Sequence, residues 1–395
     1  MRDPARGIEE FFRCRYGREA LYVPSGRMAL YLAFREWLKP GDRLLLSPVT
    51  DDVVFFTVMA AGLVPVVGPL DPVTGNLDPH AVDEPTWGRL KAVMTTNLYG
   101  IPDRMDLLEE RCRRHGLLLI EDACQALDSR FGNRRIGQIS AVAAFSLTKH
   151  VHGVGGVLCF PEGERRASLA RRAESEIRTR RPSRAARDGA LLIFRALAER
   201  TGTRRAITSL RRRFLPEEPE REGHRMPYDI AQVLRAREEG AGLERFHRWV
   251  RVDNPHYRTV PLPGEVRTTL GHLESFEENR RCRIEGRRKL ESLGLSTPAL
   301  QTPEDAALFR VPLFVRDREK VLAHLVRRGL RLDYIYDPPL DEYASPEIVE
   351  RVPSPPEAKR WSRDVLPVDP LRADLFLSIL KHSPGILSAP AEPVR

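Results

Sequence analysis

Lysine is what this chain has least of for its charge: seven lysines stand against 57 arginines in 395 residues. Almost every position that needs only a positive charge carries arginine. Its guanidinium stays protonated and forms no imine, whereas a desolvated lysine amine does. Cysteine is scarce as well. Cys14, Cys112, Cys124, Cys159 and Cys282 are odd in number and widely spaced. They show no disulfide or metal-ligand pattern, which excludes a disulfide-stapled scaffold and a zinc module and suits a reducing compartment. No apolar run approaches the ~20 residues of a membrane span. The opening "MRDPARGIEEFF" lacks the apolar stretch of a secretory signal, so a cytoplasmic protein is expected. A hydrophobic share of 42% and a charged share of 30% are those of an ordinary globular chain, long enough for a large domain and a smaller one.

The formal charge of +9 is concentrated. Between Arg165 and Arg213 sixteen arginines meet four acidic residues, a local balance of +12 that leaves the remainder at −3. The protein carries a basic insert and is not basic throughout. Three readings fit that insert. It is a solvated helical elaboration shielding a cleft, or a surface for membrane or lipid-linked substrate across 164–215, or a grip on the diphosphate of a nucleotide-linked substrate or on nucleic acid. The membrane reading rests on "ALLIFRALAER" followed by "TRRAITSLRRRF". Arginine without interleaved aromatics disfavours nucleic acid.

Short apolar runs predict strands at 20–23, 43–49, 63–70, 92–97, 117–123, 141–147 and 156–160, with helices over 26–38, 51–62 and 104–116 between them. Apolar strands alternating with helices predict a mostly parallel sheet covered on both faces, with ligands beyond the carboxyl ends of the strands. After Phe160 the alternation stops, and the pattern from 164 to 250 is largely helical. Past 277 a compact α+β unit is expected: helix 279–294, strand 307–315, helix 318–329, strand 330–336 and a closing helix 372–383.

Three stretches carry chemistry. "LLLIEDACQA" ends an apolar strand on Glu121 and Asp122, with Gln125 just beyond. "AAFSLTKHVHGVGGVLCF" sets Lys149 after a strand and before a glycine-rich turn, 27 residues past Asp122. "VPSGRMALYLAF" runs from a strand through Ser25, Gly26 and Arg27 into a helix, a turn that aims backbone N–H groups at an anion. Taken singly these are a helix cap, a loop lysine and a helix start. Together they are the parts that pyridoxal 5'-phosphate (PLP) needs: an acid for the pyridinium nitrogen, a lysine for the Schiff base and a phosphate cradle. His150 and His152 flank the lysine, but without nearby carboxylate or cysteine ligands they suggest ring positioning or substrate contact, and no metal is expected.

The motifs "FFRCRYGREALYVPSGRMALYLAF", "LKPGDRLLLSP", "NLYGIPDRMD", "EDACQAL" and "FSLTKHVHGVGGVL" resemble those of the DegT/DnrJ/EryC1/StrS family of sugar aminotransferases. The resemblance implies an α/β, fold-type I PLP-transferase with a large, mostly parallel seven-stranded sheet domain and a smaller C-terminal α+β domain. Residues 1–163 would form the PLP-binding core, 164–250 the arginine-rich insert and 251–395 the small domain. Lys149 would be the Schiff-base lysine and Asp122 the partner of the pyridine nitrogen. Gln125 would sit by the ring hydroxyl, and Ser25, Gly26, Arg27 and Ser146 would hold the phosphate. His256, Tyr257 or Arg258, in place of the family's Asn-Tyr-Arg, would reach a neighbouring subunit's site, which implies a homodimer with shared sites. Tyr99, His150 and Tyr336 would contact substrate.

The implied activity is transfer of an amino group from glutamate or glutamine to a keto-sugar, nucleotide-linked. The alternatives are a PLP-dependent dehydratase and a non-catalytic relative that binds membrane or polyanion. The chain also departs from the family's pattern. The aromatic that usually stacks on the cofactor aligns with Asp51 or Asp52, leaving Phe55 or Tyr99 to supply a face. The serine-to-lysine loop is shorter, and Asp341 replaces a histidine.

Overall fold

The structure is a computed structural model that describes residues 3–163, 165–179, 224–296, 303–383 and 385–387. It opens on a helix that the sequence pattern did not announce, α1 (Pro4–Tyr16). Asp3 caps α1 through the amide of Ala5, Gly17 ends it in the left-handed region, and Ile8, Phe12 and Tyr16 form its buried stripe. Next come β1 (Glu19–Val23), α2 (Gly26–Trp37), β2 (Arg43–Leu46), α3 (Asp52–Ala60), β3 (Val64–Val67), α4 (Glu84–Arg89) and β4 (Ala92–Thr95). They are followed by α5 (Met105–His115), β5 (Leu118–Asp122), a hairpin of β6 (Arg130–Phe131) and β7 (Arg134–Arg135), β8 (Val142–Ser146), α6 (Leu147–His150), β9 (Gly156–Phe160) and α7 (Arg165–Glu176). The seven expected strands all form: β9 has the expected bounds, β1 gains Glu19, and the other five are trimmed to their apolar centres.

An eighth strand joins them from far down the chain. β11 (Glu350–Arg351) pairs in parallel with β3, and the sheet order is β1-β9-β8-β5-β4-β2-β3-β11. From β8 to β11 every pairing is parallel, while β9 runs antiparallel to both β8 and β1. Each face has its own core. One gathers Leu30, Phe34, Phe55 and Phe56 with Leu169 and, further on, Met226, Val233, Phe246 and Trp249. The other packs Phe12 and Tyr16 with Trp87, Leu108 and Phe145, together with Val266 and Leu273. The cores therefore run across positions 164 and 250: α7 and residues 226–273 are built into the sheet unit. "ALLIFRALAER" and "TRRAITSLRRRF", on which the membrane reading rests, lie outside the described residues.

A third core joins the helix Phe276–Glu291, the helix Arg318–Arg327 and the helix Ala373–Lys381 to the antiparallel pair β10 (Val311–Phe314) and β12 (Val365–Val368). Residues 330–336 are not the strand expected from "LRLDYIY": they form no ladder, and Tyr334 has φ of 68°. The partner of β10 is instead β12, whose Pro367 obscured it in the sequence. Among the described residues no helix is long and apolar enough to cross a membrane.

Candidate active site

The parallel strands deliver their carboxyl ends to one edge of the sheet, and a cavity of about 660 Å³ opens there. β5 brings Asp122 to its wall, β8 brings Ser146 and, through α6, Lys149, and the turn after β1 brings Ser25, Gly26 and Arg27. Asp122 pairs in register with Ala144, so the acid and the lysine are on neighbouring strands. The strand ends are tied by Asn97, whose side-chain amide donates to the Asp122 carbonyl (3.1 Å) and to Thr95 Oγ1 (2.7 Å). Behind them Asp103, fully buried, accepts from the amides of Leu77, Thr96 and Asn97. Burial pushes its carboxyl up to about 6.

Glycine makes the phosphate end possible. A Cβ on Gly156 would lie 2.5 Å from Gly26 N and from Ser25 C, and one on Gly26 would lie 2.7 Å from Cys124 Sγ and 3.0 Å from Ser146 Cβ. Both lack it, so the start of β9 and the turn before α2 touch backbone to backbone, and Ser25 bridges to Gly155. α2 is twelve residues long and begins at the cavity, its positive end suited to an anion. Ser25 caps it, accepting from Met28 N (3.1 Å) while its hydroxyl donates to the Tyr257 carbonyl (2.6 Å). Ser146 and Thr148 share a hydroxyl hydrogen bond of 2.9 Å at the same wall. Arg27 also borders the cavity, but its Nη1 donates to the carbonyls of Val250 and Val252, which engages the guanidinium in holding the 250–252 turn.

Asp122 accepts from Cys124 N (3.0 Å). Burial pushes its carboxyl up, against the opposing pull of Lys149. Lys149 is half-buried. Burial acts against its ammonium, but Cys124, Tyr334, Asp122 and Asp51 together outweigh it, and the amine lies above the ordinary lysine range. The Cys124 thiol is itself pushed far up by burial and stays protonated, so the two carboxylates are the lasting source of that field. Gln125 is fixed at both ends: its Oε1 accepts from Tyr99 N (3.0 Å), and its Nε2 donates to the Tyr336 hydroxyl (2.9 Å).

The remaining expected residues divide. Tyr336 and His256 line the cavity. Tyr99 does not: it is fully buried, stacked on Trp361 at 5.9 Å, with its hydroxyl donating to the Tyr334 carbonyl. His150 is also fully buried. Its Nε2 donates to the Gln125 carbonyl (2.9 Å), its ring leans on Phe309, and burial drives its pKa far down, so it supports Gln125 from behind. Arg258 points to Glu244 and does not line the cavity. Among the described residues, no three His, Cys, Asp or Glu side chains gather as metal ligands would.

The sequence reading did not find Tyr334, whose ring lies 5.2 Å from Lys149 Nζ. Nor did it find Arg225, which is 3% exposed and donates to the carbonyls of Pro48, Thr50 and Pro338. That guanidinium fastens the loop after β2 to the segment carrying Tyr334 and Tyr336. Arg225 belongs to no motif, and Tyr334 lies in "LRLDYIY", where only long-range packing sets it apart from Tyr336.

The residues present fit PLP: a half-buried amine, a buried acid one strand away, and a cradle at Gly26 and Gly156 that a Cβ would fill.

Comparisons with known proteins converge on one family. Residues 6–174 match the DegT/DnrJ/EryC1/StrS aminotransferase family. The chain is 42% identical over 130 residues to a dTDP-3-amino-3,4,6-trideoxy-alpha-D-glucose transaminase of Streptomyces venezuelae, covering 32% of this chain and 34% of the relative. It is 34% identical over 130 residues to a GDP-perosamine synthase of Caulobacter vibrioides, covering 33% and 35%. The chain thus spans about a third of the length of these curated relatives. Solved structures extend the likeness to nearly the whole chain. An aminotransferase of this family from Brucella abortus superposes with a TM-score of 0.66 at 17% identity, covering 98% of this chain and 91% of that one. An E. coli GDP-4-keto-6-deoxy-D-mannose-3-dehydratase with bound hydrated PLP superposes at 0.64 and 16%, covering 98% and 92%. At such identities the structures show the fold, which is that of the fold-type I PLP enzymes. The segment matched by that family, residues 6–174, carries the Ser25–Arg27 turn, Asp122 and Lys149 together.

Proposed function

We propose that the protein is a PLP-dependent aminotransferase that passes an amino group from glutamate or glutamine to a keto-sugar, nucleotide-linked as in the names of its relatives. One observation carries the reading: the Lys149 amine and the Asp122 carboxylate stand on neighbouring strand ends at one cavity that also borders the start of α2. PLP bound there would supply an electron sink for breaking bonds at the amine-bearing carbon. The chain's own part is proton handling and orientation. Asp122 holds negative charge at the sheet edge, where a ring nitrogen would keep its proton. Lys149 would anchor the cofactor and would serve as the base that moves a proton at the carbon atoms beside its Nζ. Ser25, Ser146, Gly26 and the helix start would hold the phosphate, and Gln125 fixes the wall between Tyr99 and Tyr336. Sites shared across a homodimer complete the reading, with the exposed His256 at the mouth facing a second subunit. Five unpaired cysteines support a cytoplasmic setting.

The test is spectroscopic. Protein purified with PLP should be yellow, with an adduct that borohydride fixes, and Lys149→Ala should lose both. Added glutamate should then bleach the visible band of the wild type and release 2-oxoglutarate. A coloured protein that takes no amino group from glutamate or glutamine points to the dehydratase type of chemistry; a colourless wild type rejects PLP altogether.

A further inference from the structure

We infer that Tyr334, delivered by the C-terminal part of the chain, is the aromatic wall of this site and packs against the planar ring held beside Lys149. The inference rests on the proposed PLP reading. The loop after β2 offers Asp51 and Asp52 where a ring would be needed, and Asp52 is fully buried, accepting from Met226 N. Phe55 is equally buried in the core behind that loop, and Tyr99 is stacked on Trp361. Among the described residues, the tyrosine, phenylalanine and tryptophan rings that line the cavity are those of Tyr334 and Tyr336. Tyr336 has its hydroxyl engaged by Gln125 and its ring beneath Arg225 at 5.5 Å. Tyr334 is the one of the two with its ring over the Lys149 ammonium, at 5.2 Å.

Its placement is forced. Tyr334 sits at φ of 68°, a region that bulky residues seldom occupy, and strain of this kind persists only where the surroundings impose it. Three contacts do so. The Tyr99 hydroxyl donates to the Tyr334 carbonyl (2.7 Å), the Phe309 ring meets it edge-on at 5.0 Å, and the Arg310 guanidinium lies 5.1 Å from the ring on its own stack over Phe309. A half-buried side chain fixed this firmly at the rim of a cavity is a preorganised contact surface.

The experiment measures cofactor affinity apart from turnover. PLP is titrated into cofactor-free wild type, Tyr334→Phe, Tyr334→Leu and Tyr334→Ala, followed by the visible band and by tryptophan fluorescence. Thermal unfolding of each cofactor-free protein shows which variants fold. The expected result is a Kd at least tenfold weaker in Tyr334→Leu, weaker still in Tyr334→Ala, and within threefold of wild type in Tyr334→Phe, which keeps the ring. The band should also move in the two variants that lose the ring. If Tyr334→Leu folds and binds PLP as wild type does, with an unmoved band, the inference is overturned while the PLP reading stands. A wild type that takes up no PLP overturns both.

Discussion

Lys149 is a cation held by charges that the reaction would change. Burial alone would lower its proton affinity, and the surrounding groups, the carboxylates of Asp122 and Asp51 the lasting ones among them, raise it beyond that. An amine reacts as a nucleophile only when deprotonated, so the field that keeps the lysine charged also keeps it quiet. Removing the Asp122 charge should release it. Asp122→Asn is expected to shift the pH midpoint for reaction of Lys149 with pyridoxal downward, because the ammonium loses a favourable partner. The same variant should lower the rate of the glutamate half-reaction about 100-fold or more, since a ring nitrogen loses its acid. Stopped-flow absorbance across pH 6 to 10 reads both, and an unmoved midpoint would show that Asp51 alone sets the field. Lys149, Asp122 and the Ser25–Arg27 turn were legible in the sequence because their chemistry is written in short local motifs. Tyr334 and Arg225 were not, since their contacts with Lys149 and Tyr99, and with Pro48, Thr50 and Pro338, each span more than a hundred positions of the chain.

At the scale of elements, the site depends on backbone approaches that leave no room for a methyl group. Gly156→Ala would place a Cβ 2.5 Å from the backbone at Ser25 and Gly26, where no side chain can swing aside. It should destabilise the protein by about 1–3 kcal/mol or more and weaken phosphate binding. Gly271→Ala is the counter-case: it lies inside the helix Pro263–Glu274 with nothing within 4 Å, and should stabilise by up to ~1 kcal/mol. Urea unfolding of the two variants checks both signs. The strands of the sheet were readable because a parallel sheet covered on both faces needs near-continuous apolar runs, and those runs stand out. β11 escaped notice because it is two charged residues long and is held by register with β3 and by Arg43 on Glu350 (2.8 Å). The segment 330–336 misled for the opposite reason. "LRLDYIY" alternates like a strand, yet Arg331 and Asp333 turn to solvent while Tyr334 breaks the extended course.

For the whole molecule, charge and assembly are the open quantities. The described residues place α7 and residues 226–273 in the cores of the sheet unit. The homodimer reading predicts a particle of twice the 44.9 kDa chain mass in sedimentation equilibrium with PLP present. A single-chain mass at micromolar concentration would reject the shared-site arrangement.

The position of β11 in the sheet also orders events in time. As the chain leaves the ribosome, the residues for the cradle, the acid and the lysine emerge within its first half. β3 remains a bare edge until Glu350 and Arg351 arrive, and a bare edge is a template for pairing with any neighbouring strand. Tyr334 and the third core come late as well. Lys149 is therefore made early and its surroundings finished late, and a nascent chain must shelter an unfinished sheet until Glu350 and Arg351 have been added.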